Sequence, residues 1–308
     1  MSKKIIQCCA GGLYSLAVQR ELERCGKNVI RIDANGNMPD CRHVPRHGFV
    51  GNIESLVAEM ITKKGEPRLV VVLPHNQDEC RDLIWAGGQG ENWRALVPPK
   101  VSFLQTINKA RFYTALKECG LGAPEWWPVE NAFSDEVLSA VVARERIIKP
   151  VEGCGGRAVL RNLDVKGVEY LICDRLIGQE YTVDALAYNG ELVDYCTRKR
   201  LRAHGGICID AEVTGRVEKI GAALRDLVSA FSLSGPLAVQ CFFDERPGIG
   251  VTWTDCNHRF GGGAVLSVAA GWKGIENYCR LLDGEEPITD YELRKIRVRR
   301  YYREEVVE

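Results

Sequence analysis

The chain has 308 residues, 45% hydrophobic and 27% charged, which is enough to bury a sizeable core. Lys plus Arg equals Asp plus Glu, 41 against 41, so net charge supplies no pull towards nucleic acid or an anionic membrane surface. No apolar run approaches the roughly 18–20 residues that a membrane span needs, and residues 1–8 read as the start of a strand rather than as a secretory signal. The 13 cysteines contain no C-x-x-C pair, and with that odd count the expectation is reduced thiols in the cytoplasm, most of them small buried hydrophobes.

The first hundred residues alternate strand and helix. Residues 4–8 form an apolar strand, followed by the small turn Ala10-Gly11-Gly12. Apolar residues then fall at helical spacing over 13–25, ended by Gly26. Residues 29–33 give a second strand, 53–64 an amphipathic helix and 69–73 a buried-type strand closed by Pro74. This β-α-β alternation predicts a small parallel sheet with covering helices.

From Thr106 the pattern changes. A helix is expected over 106–119, with an Asn108-Lys109 start, and another over 135–143 behind the cap Ser134. Strands follow at 146–149, 158–161, 169–175 and 181–188, and Asn189-Gly190 marks a hairpin turn into 191–198. A long helix covers 217–234, strands 237–243 and 251–257 pair across the turn at 246–248, and two helices cover 264–270 and 275–282. The tail 291–308 is charged and extended and has no assigned structure.

Three segments carry candidate chemistry. In Ile147-Ile148-Lys149-Pro150-Val151-Glu152-Gly153-Cys154-Gly155-Gly156-Arg157, a strand delivers a lysine into a glycine-rich turn. Such a turn lets backbone N–H groups converge on phosphate oxygens, or is only tight; it is not a Walker A loop. In Thr254-Asp255-Cys256-Asn257-His258-Arg259, Asp255 and Asn257 share one strand face, and Gln240 can present a third oxygen from the neighbouring strand. These oxygens suit Mg²⁺, and Arg259 could hold a transferring phosphate; the bland alternative is a solvated polar face. In Asp174-Arg175-Leu176-Ile177-Gly178-Gln179-Glu180 a buried strand breaks at Gly178, a hinge where an adenine edge can be read and Glu180 can bond ribose. The basic run Arg198-Lys199-Arg200-Leu201-Arg202 is either a carboxylate clamp or a solvated hairpin end.

Taken in order, these segments resemble the ATP-grasp superfamily, nearest to its carbamoyl-phosphate-synthetase-like carboxylate–amine ligases, over almost the whole chain. The resemblance implies an α/β and α+β fold: a Rossmann-like pre-ATP-grasp domain at 1–104, then an ATP-grasp domain at 105–308, with a small lid subdomain at about 110–175 and a larger one at about 176–308. It implies that Lys109, Lys149, Glu152, Gly153, Gly155, Gly156, Asp174, Leu176 and Glu180 hold ATP. Gln240, Asp255 and Asn257 then hold Mg²⁺, with Mn²⁺ as an alternative ion. Arg259, Lys149 and Arg200 act on the reacting groups, Arg200 facing the acyl phosphate. Asn257-His258-Arg259 stands where the family has Asn-Pro-Arg, and Asp255 and Asp174 stand where Glu is commoner.

The implied activity joins a small carboxylate to an amine through an acyl phosphate, releasing ADP and phosphate. A kinase or a non-catalytic ATP-binding protein of the same fold is the alternative. An oxidoreductase reading of the first βα turn fails, because Ala10-Gly11-Gly12-Leu13-Tyr14-Ser15 lacks G-x-G-x-x-G. Partners are then small molecules, with no nucleic acid and no membrane. Folds of this kind often form homodimers, for which Trp126-Trp127 is the candidate apolar patch.

Overall fold

The computed structural model describes residues 4–8, 15–38, 40–61, 70–128, 139, 145–153, 169–204, 207–246 and 248–301. The predicted helix at 135–143 (save residue 139) and strand at 158–161 lie outside these residues.

The amino-terminal part comprises β1 (Lys4–Gln7), α1 (Ser15–Arg24), β2 (Asn28–Asp33), β3 (Arg42–His43), α2 (Phe49–Ile61), β4 (Val70–Leu73), α3 (Gln77–Trp85) and β5 (Trp93–Arg94). The strands form one parallel sheet in the order β3-β2-β1-β4-β5. β4 is Val-Val-Val-Leu and wholly buried, as a parallel strand covered on both faces should be. Its side chains alternate between two cores: Val71 and Leu73 pack with Ile5, while Val70 and Val72 pack with Ile6 and with Ile53 and Leu56 of α2. The chain leaves β1 towards β2 on one side and returns as β4 on the other. That reversal makes a crevice at the carboxyl ends of β1 and β4.

Helix α3 stands at that crevice and was not expected from the sequence. Its signal is local: Asn76 accepts from the Glu79 backbone N–H at 2.7 Å while the Glu79 carboxylate accepts from the Asn76 and His75 backbone, a capping box. The helix expected over 106–119 is two helices, α4 (Lys100–Ile107) and α5 (Lys109–Glu118). Asn108 has extended backbone angles and caps α5 with its side chain, so it breaks the run instead of continuing it.

A three-stranded antiparallel sheet follows, β6 (Trp126–Pro128), β7 (Arg146–Pro150) and β8 (Tyr170–Asp174), in the order β6-β8-β7. The largest sheet is antiparallel with six strands in the order β13-β12-β9-β10-β11-β14. Its members are β9 (Gln179–Tyr188), β10 (Glu191–His204), β11 (Ile207–Gly215), β12 (Gly235–Asp244), β13 (Gly250–Asn257) and β14 (Ile296–Arg299). Helix α6 (Glu218–Ala230) follows β11, and α7 (Ala264–Ala269) and α8 (Gly274–Leu282) follow β13. Asn189 and Gly190 both have positive φ, 51° and 81°, as a two-residue hairpin turn between β9 and β10 demands.

Both faces of this sheet are covered. Val183, Ala185 and Ala187 of β9 meet Phe112 of α5 and Leu224 of α6, whereas the intervening Leu186 meets Trp272 and Tyr278 on the other side. Tyr278 also ties α8 to the parallel sheet: its hydroxyl donates to Val72 O at 2.7 Å and accepts from the Leu96 N–H at 3.1 Å. The tail forms the edge strand β14, fastened by Arg297 and Arg299 to Asp210 and by Tyr291 OH to Asp194. β11 and β14 went unforeseen because β11 is cut from the basic run by Gly205-Gly206 and β14 is rich in arginine.

The described cysteines are all free thiols, and most are buried. Among the described residues no helix is long and apolar enough to cross a membrane. Trp126 packs against the core, while Trp127 is exposed beneath the Arg146 guanidinium, 4.5 Å from the ring centre.

Candidate active site

Lys109 is where three elements meet. Its position is set by the Asn108 cap, and its backbone N–H donates to Val151 O at 2.8 Å, tying the start of α5 to the segment after β7. Its side chain is buried, donates to Gly153 O at 2.9 Å and lies 3.9 Å from Asp255 Oδ1 on β13. The predicted phosphate lysine thus spans the predicted glycine loop and the predicted metal strand. Gly153 has a φ of 110°, a backbone state that side chains oppose. Gly155 and Gly156 lie outside the described residues.

Lys149 enters from the three-stranded sheet, paired across β7 and β8 with Leu171. The neighbouring Cys173 thiol reports on its surroundings. Burial pushes that thiol up, and both Lys149 and Lys109 pull it down, so the two lysines converge on one region from different elements.

On the large sheet Gln240 lies directly opposite Asp255, and Ala238 opposite Asn257. The Asn257 amide nitrogen donates to Asp255 Oδ2 at 3.1 Å and to Ala238 O at 3.3 Å, which leaves its carbonyl oxygen as an acceptor. The three residues expected to hold metal therefore adjoin, offering one carboxylate and two amide oxygens. Among the described residues no group of three His, Cys, Asp or Glu forms a metal cluster. The Gln240–Asp255–Asn257 set fits an ion such as Mg²⁺, which is satisfied by one or two carboxylates when phosphates supply the rest.

Arg259 leaves the end of β13 and donates to Phe260 O at 3.2 Å. Its charge is felt at His75 and Cys80, so it faces the crevice of the parallel sheet. His75 is fully buried and its pKa falls to about 3, first through desolvation and then through Arg259. Glu79, also buried, is pushed up to about 7 by desolvation, against the two backbone N–H groups it accepts. His258, at the position where the resemblance expects proline, is buried under Phe103, with Nε2 2.5 Å from Thr106 Oγ1. Burial lowers its pKa to about 3, and it packs α4 against β13 as a neutral ring.

At the hinge Asp174 ends β8, its N–H donating to Glu125 O at 3.2 Å and its carboxylate 3.9 Å from Arg146, while Leu176 is half-buried between β8 and β9. Glu180 and Arg200, expected at ribose and at the acyl phosphate, form an ion pair with each other at 3.0 Å. The neighbouring Arg198 is consumed elsewhere, clamped bidentately on Asp184 at 2.6 and 3.0 Å, with the pair wholly buried. Ser267 donates to the same carboxylate at 2.6 Å. Gly263 must lack a Cβ because one would collide with the Arg198 guanidinium. This cluster was missed, although a lone Asp in Val183-Asp184-Ala185-Leu186-Ala187 is the sign of a paired buried charge. Gln77 and Arg81 were missed with their helix. They face Asp255 and Asn257 across a cleft that also includes Glu152.

Residues 166–303 match a family model described as ATP-grasp in the biosynthetic pathway with Ter operon. No curated protein matches the sequence. Solved structures share the fold at low identity. The L-amino acid ligase from Bacillus licheniformis aligns at 16% identity and a TM-score of 0.62, over 96% of this chain and 78% of that one. N5-carboxyaminoimidazole synthetase from Staphylococcus aureus, complexed with ADP, aligns at 13% identity and 0.67, over 95% and 81%. N5-carboxyaminoimidazole ribonucleotide synthetase from Thermotoga maritima aligns at 19% and 0.62, over 95% and 79%. With its parallel unit, small antiparallel sheet and large antiparallel sheet in this order, the chain shares the fold of these structures, and its carboxyl-terminal residues 166–303 are similar to an ATP-grasp family.

Proposed function

We infer that the protein is an ADP-forming carboxylate–amine ligase working through an acyl phosphate. The observation that carries this reading is Lys109, whose ammonium lies between Gly153 O and Asp255 and so joins loop, helix and metal strand at one point. The chemistry named for the structural neighbours, amino acid ligation and carboxyaminoimidazole synthesis, supports it.

In this reading residues 1–104 form the pre-ATP-grasp unit and 105–308 the grasp. Adenine lies against the hinge at Asp174 and Leu176, and Glu180 takes the ribose, held in place by Arg200. Lys149 and Lys109 neutralise the phosphates under the loop that begins at Glu152. Mg²⁺ at Gln240, Asp255 and Asn257, when bound, screens the β and γ phosphate oxygens. Arg259 faces the transferring group. A substrate carboxylate oxygen forms a bond to the γ phosphorus as the bond to the β-phosphate oxygen breaks, releasing ADP. The amine nitrogen then bonds the acyl carbon as the carbon–oxygen bond to phosphate breaks. No protein nucleophile is required.

The test is ADP and phosphate release from Mg–ATP across pools of amino acids and small carboxylic acids. Release that depends on one acid and one amine is expected, with an amide product. AMP and pyrophosphate, or a stable phosphorylated product, would overturn the ligase reading, the latter in favour of a kinase. Lys149→Ala and Asn257→Ala should each abolish turnover with unchanged circular dichroism. Full activity in both would move the nucleotide site elsewhere.

A further inference from the structure

Arginine recurs at 297, 299 and 300, at the end of the edge strand β14, and the strand period sends these side chains to different places. Arg297 and Arg299 share one face, and both bond the Asp210 carboxylate, Arg297 at 2.9 and 3.0 Å and Arg299 at 2.9 Å. Ile296 and Val298 turn to the other face and pack on the core that contains Phe260 and Ala264. Arg300 falls in step with them. Its backbone N–H carries the ladder one residue further, donating to Ile209 O at 2.8 Å, and its guanidinium donates to Gly262 O.

Gly262 lies in the turn that follows Arg259. The carbonyls on either side of it have backbone partners: Gly261 O accepts from the Ala264 N–H and Gly263 O from the Leu266 N–H, each at 2.9 Å. No backbone N–H among the described residues donates to Gly262 O, so Arg300 supplies the donor that this carbonyl would otherwise lack. The rest of the turn is already wedged. A Cβ on Gly261 would approach Ala238 Cβ to 3.0 Å, one on Gly263 would collide with the Arg198 guanidinium, and Phe260 packs edge-on against Trp272 and Tyr278. Arg259 leans on this same turn, its guanidinium donating to Phe260 O at 3.2 Å. The direction of Arg259 thus depends on a turn fixed by the buried Asp184–Arg198 pair and by the tail.

We propose that the carboxyl-terminal strand belongs to the working parts of the site, with Arg300 as a positioning residue that holds the Gly261-Gly262-Gly263 turn and, through the Phe260 carbonyl, the direction of the Arg259 guanidinium. What Arg259 is directed at, the γ-phosphate, rests on the ligase reading above. Arg300 needs a single N–H for this role, unlike an arginine that forks onto a substrate carboxylate. Arg294 makes a matching tie from the same tail, donating to Ala269 O at 2.5 Å, but it reaches helix α7 and not the turn.

Calorimetry on the full chain, with Mg²⁺ and either ADP or a β,γ-imido ATP analogue, tests this without turnover. In Arg300→Ala the analogue should bind roughly tenfold more weakly, the share of one charged contact, while ADP affinity stays within about twofold. A residue that only braced the fold would weaken both nucleotides alike or neither. Arg300→Lys, which keeps a donor for Gly262 O, should stay near wild type, and Arg294→Ala should leave both affinities unchanged. Arg259→Ala should show the same selective loss, and adding Arg300→Ala to it should cost nothing more, because the one residue acts through the other. Hydrogen exchange in peptides covering 260–266 should quicken in Arg300→Ala and not in Arg294→Ala. Unchanged discrimination between analogue and ADP in Arg300→Ala, or full additivity with Arg259→Ala, would overturn the proposal. So would an Arg300→Lys variant as impaired as Arg300→Ala, which would put Arg300 directly on a ligand. If the selective loss appears but ADP release never depends on an acid and an amine, the ligase reading fails and the positioning role stands.

Discussion

Two polar groups flank Ala238 on the large sheet, and they differ in how completely they are satisfied. On one side Asp184 of β9, paired with Ala238, is sealed in with Arg198 and Ser267, each partner's hydrogen bonds met within the protein. On the other side Asn257 of β13, also paired with Ala238, adjoins Asp255, Gln240 and Lys109, with the Asp255 side chain 18% exposed. Two strand spacings, about 10 Å, separate a closed cluster from an open one. The closed cluster holds β9, β10 and α7 together. The open one lies along a cleft, with the Lys109 ammonium 3.9 Å from Asp255 instead of clamped on it, which leaves room for phosphate and metal.

Substitutions on the two sides should break different properties. Asp255→Ala should give the largest effect, an activity loss of about 10³-fold or more, with thermal stability within a degree or two of wild type. Arg198→Ala should do the reverse. An unpaired buried Asp184 costs about 3–5 kcal/mol, so chemical denaturation should show a large loss of stability, and any activity loss should track the unfolded fraction. Equal stability losses from both would erase the distinction. Gly263→Ala should be milder, about 1–3 kcal/mol, because a Cβ there presses on the Arg198 guanidinium. Stability data for this variant and Arg198→Ala together, with the double variant less than additive, would sharpen the comparison.

A further effect, negligible at neutral pH, appears on acidification. Folded His75 refuses a proton until pH falls to about 3, whereas the unfolded chain takes it up from about 6.5. Below 6.5 the unfolded state therefore binds more protons, and stability falls with pH by up to about 1.4 kcal/mol per unit from this one group. Glu79, raised to about 7, has the opposite slope: its contribution falls as pH rises from about 4.5. His75→Gln should flatten the acid limb of the stability curve. An unchanged limb would mean that His75 titrates normally in the folded protein.

Much of the candidate site was legible because its residues sit in short strings. Asp255-Cys256-Asn257 needs only the strand period to share a face, and Lys149 before a glycine-rich turn needs only local geometry. Arg200 was legible as part of a basic run and Glu180 as the acid after the break at Gly178, but their mutual pairing follows from register between β9 and β10, which no local string encodes. Arg198 and Arg200 look alike in sequence. Only the sheet shows that one is buried on Asp184 and the other pairs with Glu180.

By itself the sequence determined part of the order of elements, the hairpin at Asn189-Gly190, the switch from a parallel to an antiparallel unit and the chemical types at the candidate site. All of these depend on interactions within a few residues or on periodicity. Tertiary structure decided that Lys109 reaches both Gly153 and Asp255, that α3 brings Gln77 and Arg81 to face Asn257, and that the tail completes the sheet as β14. Those contacts join segments far apart in the chain. Their partners are chosen by which buried faces must be covered and which buried charges must be neutralised, conditions that exist only once the sheets have packed.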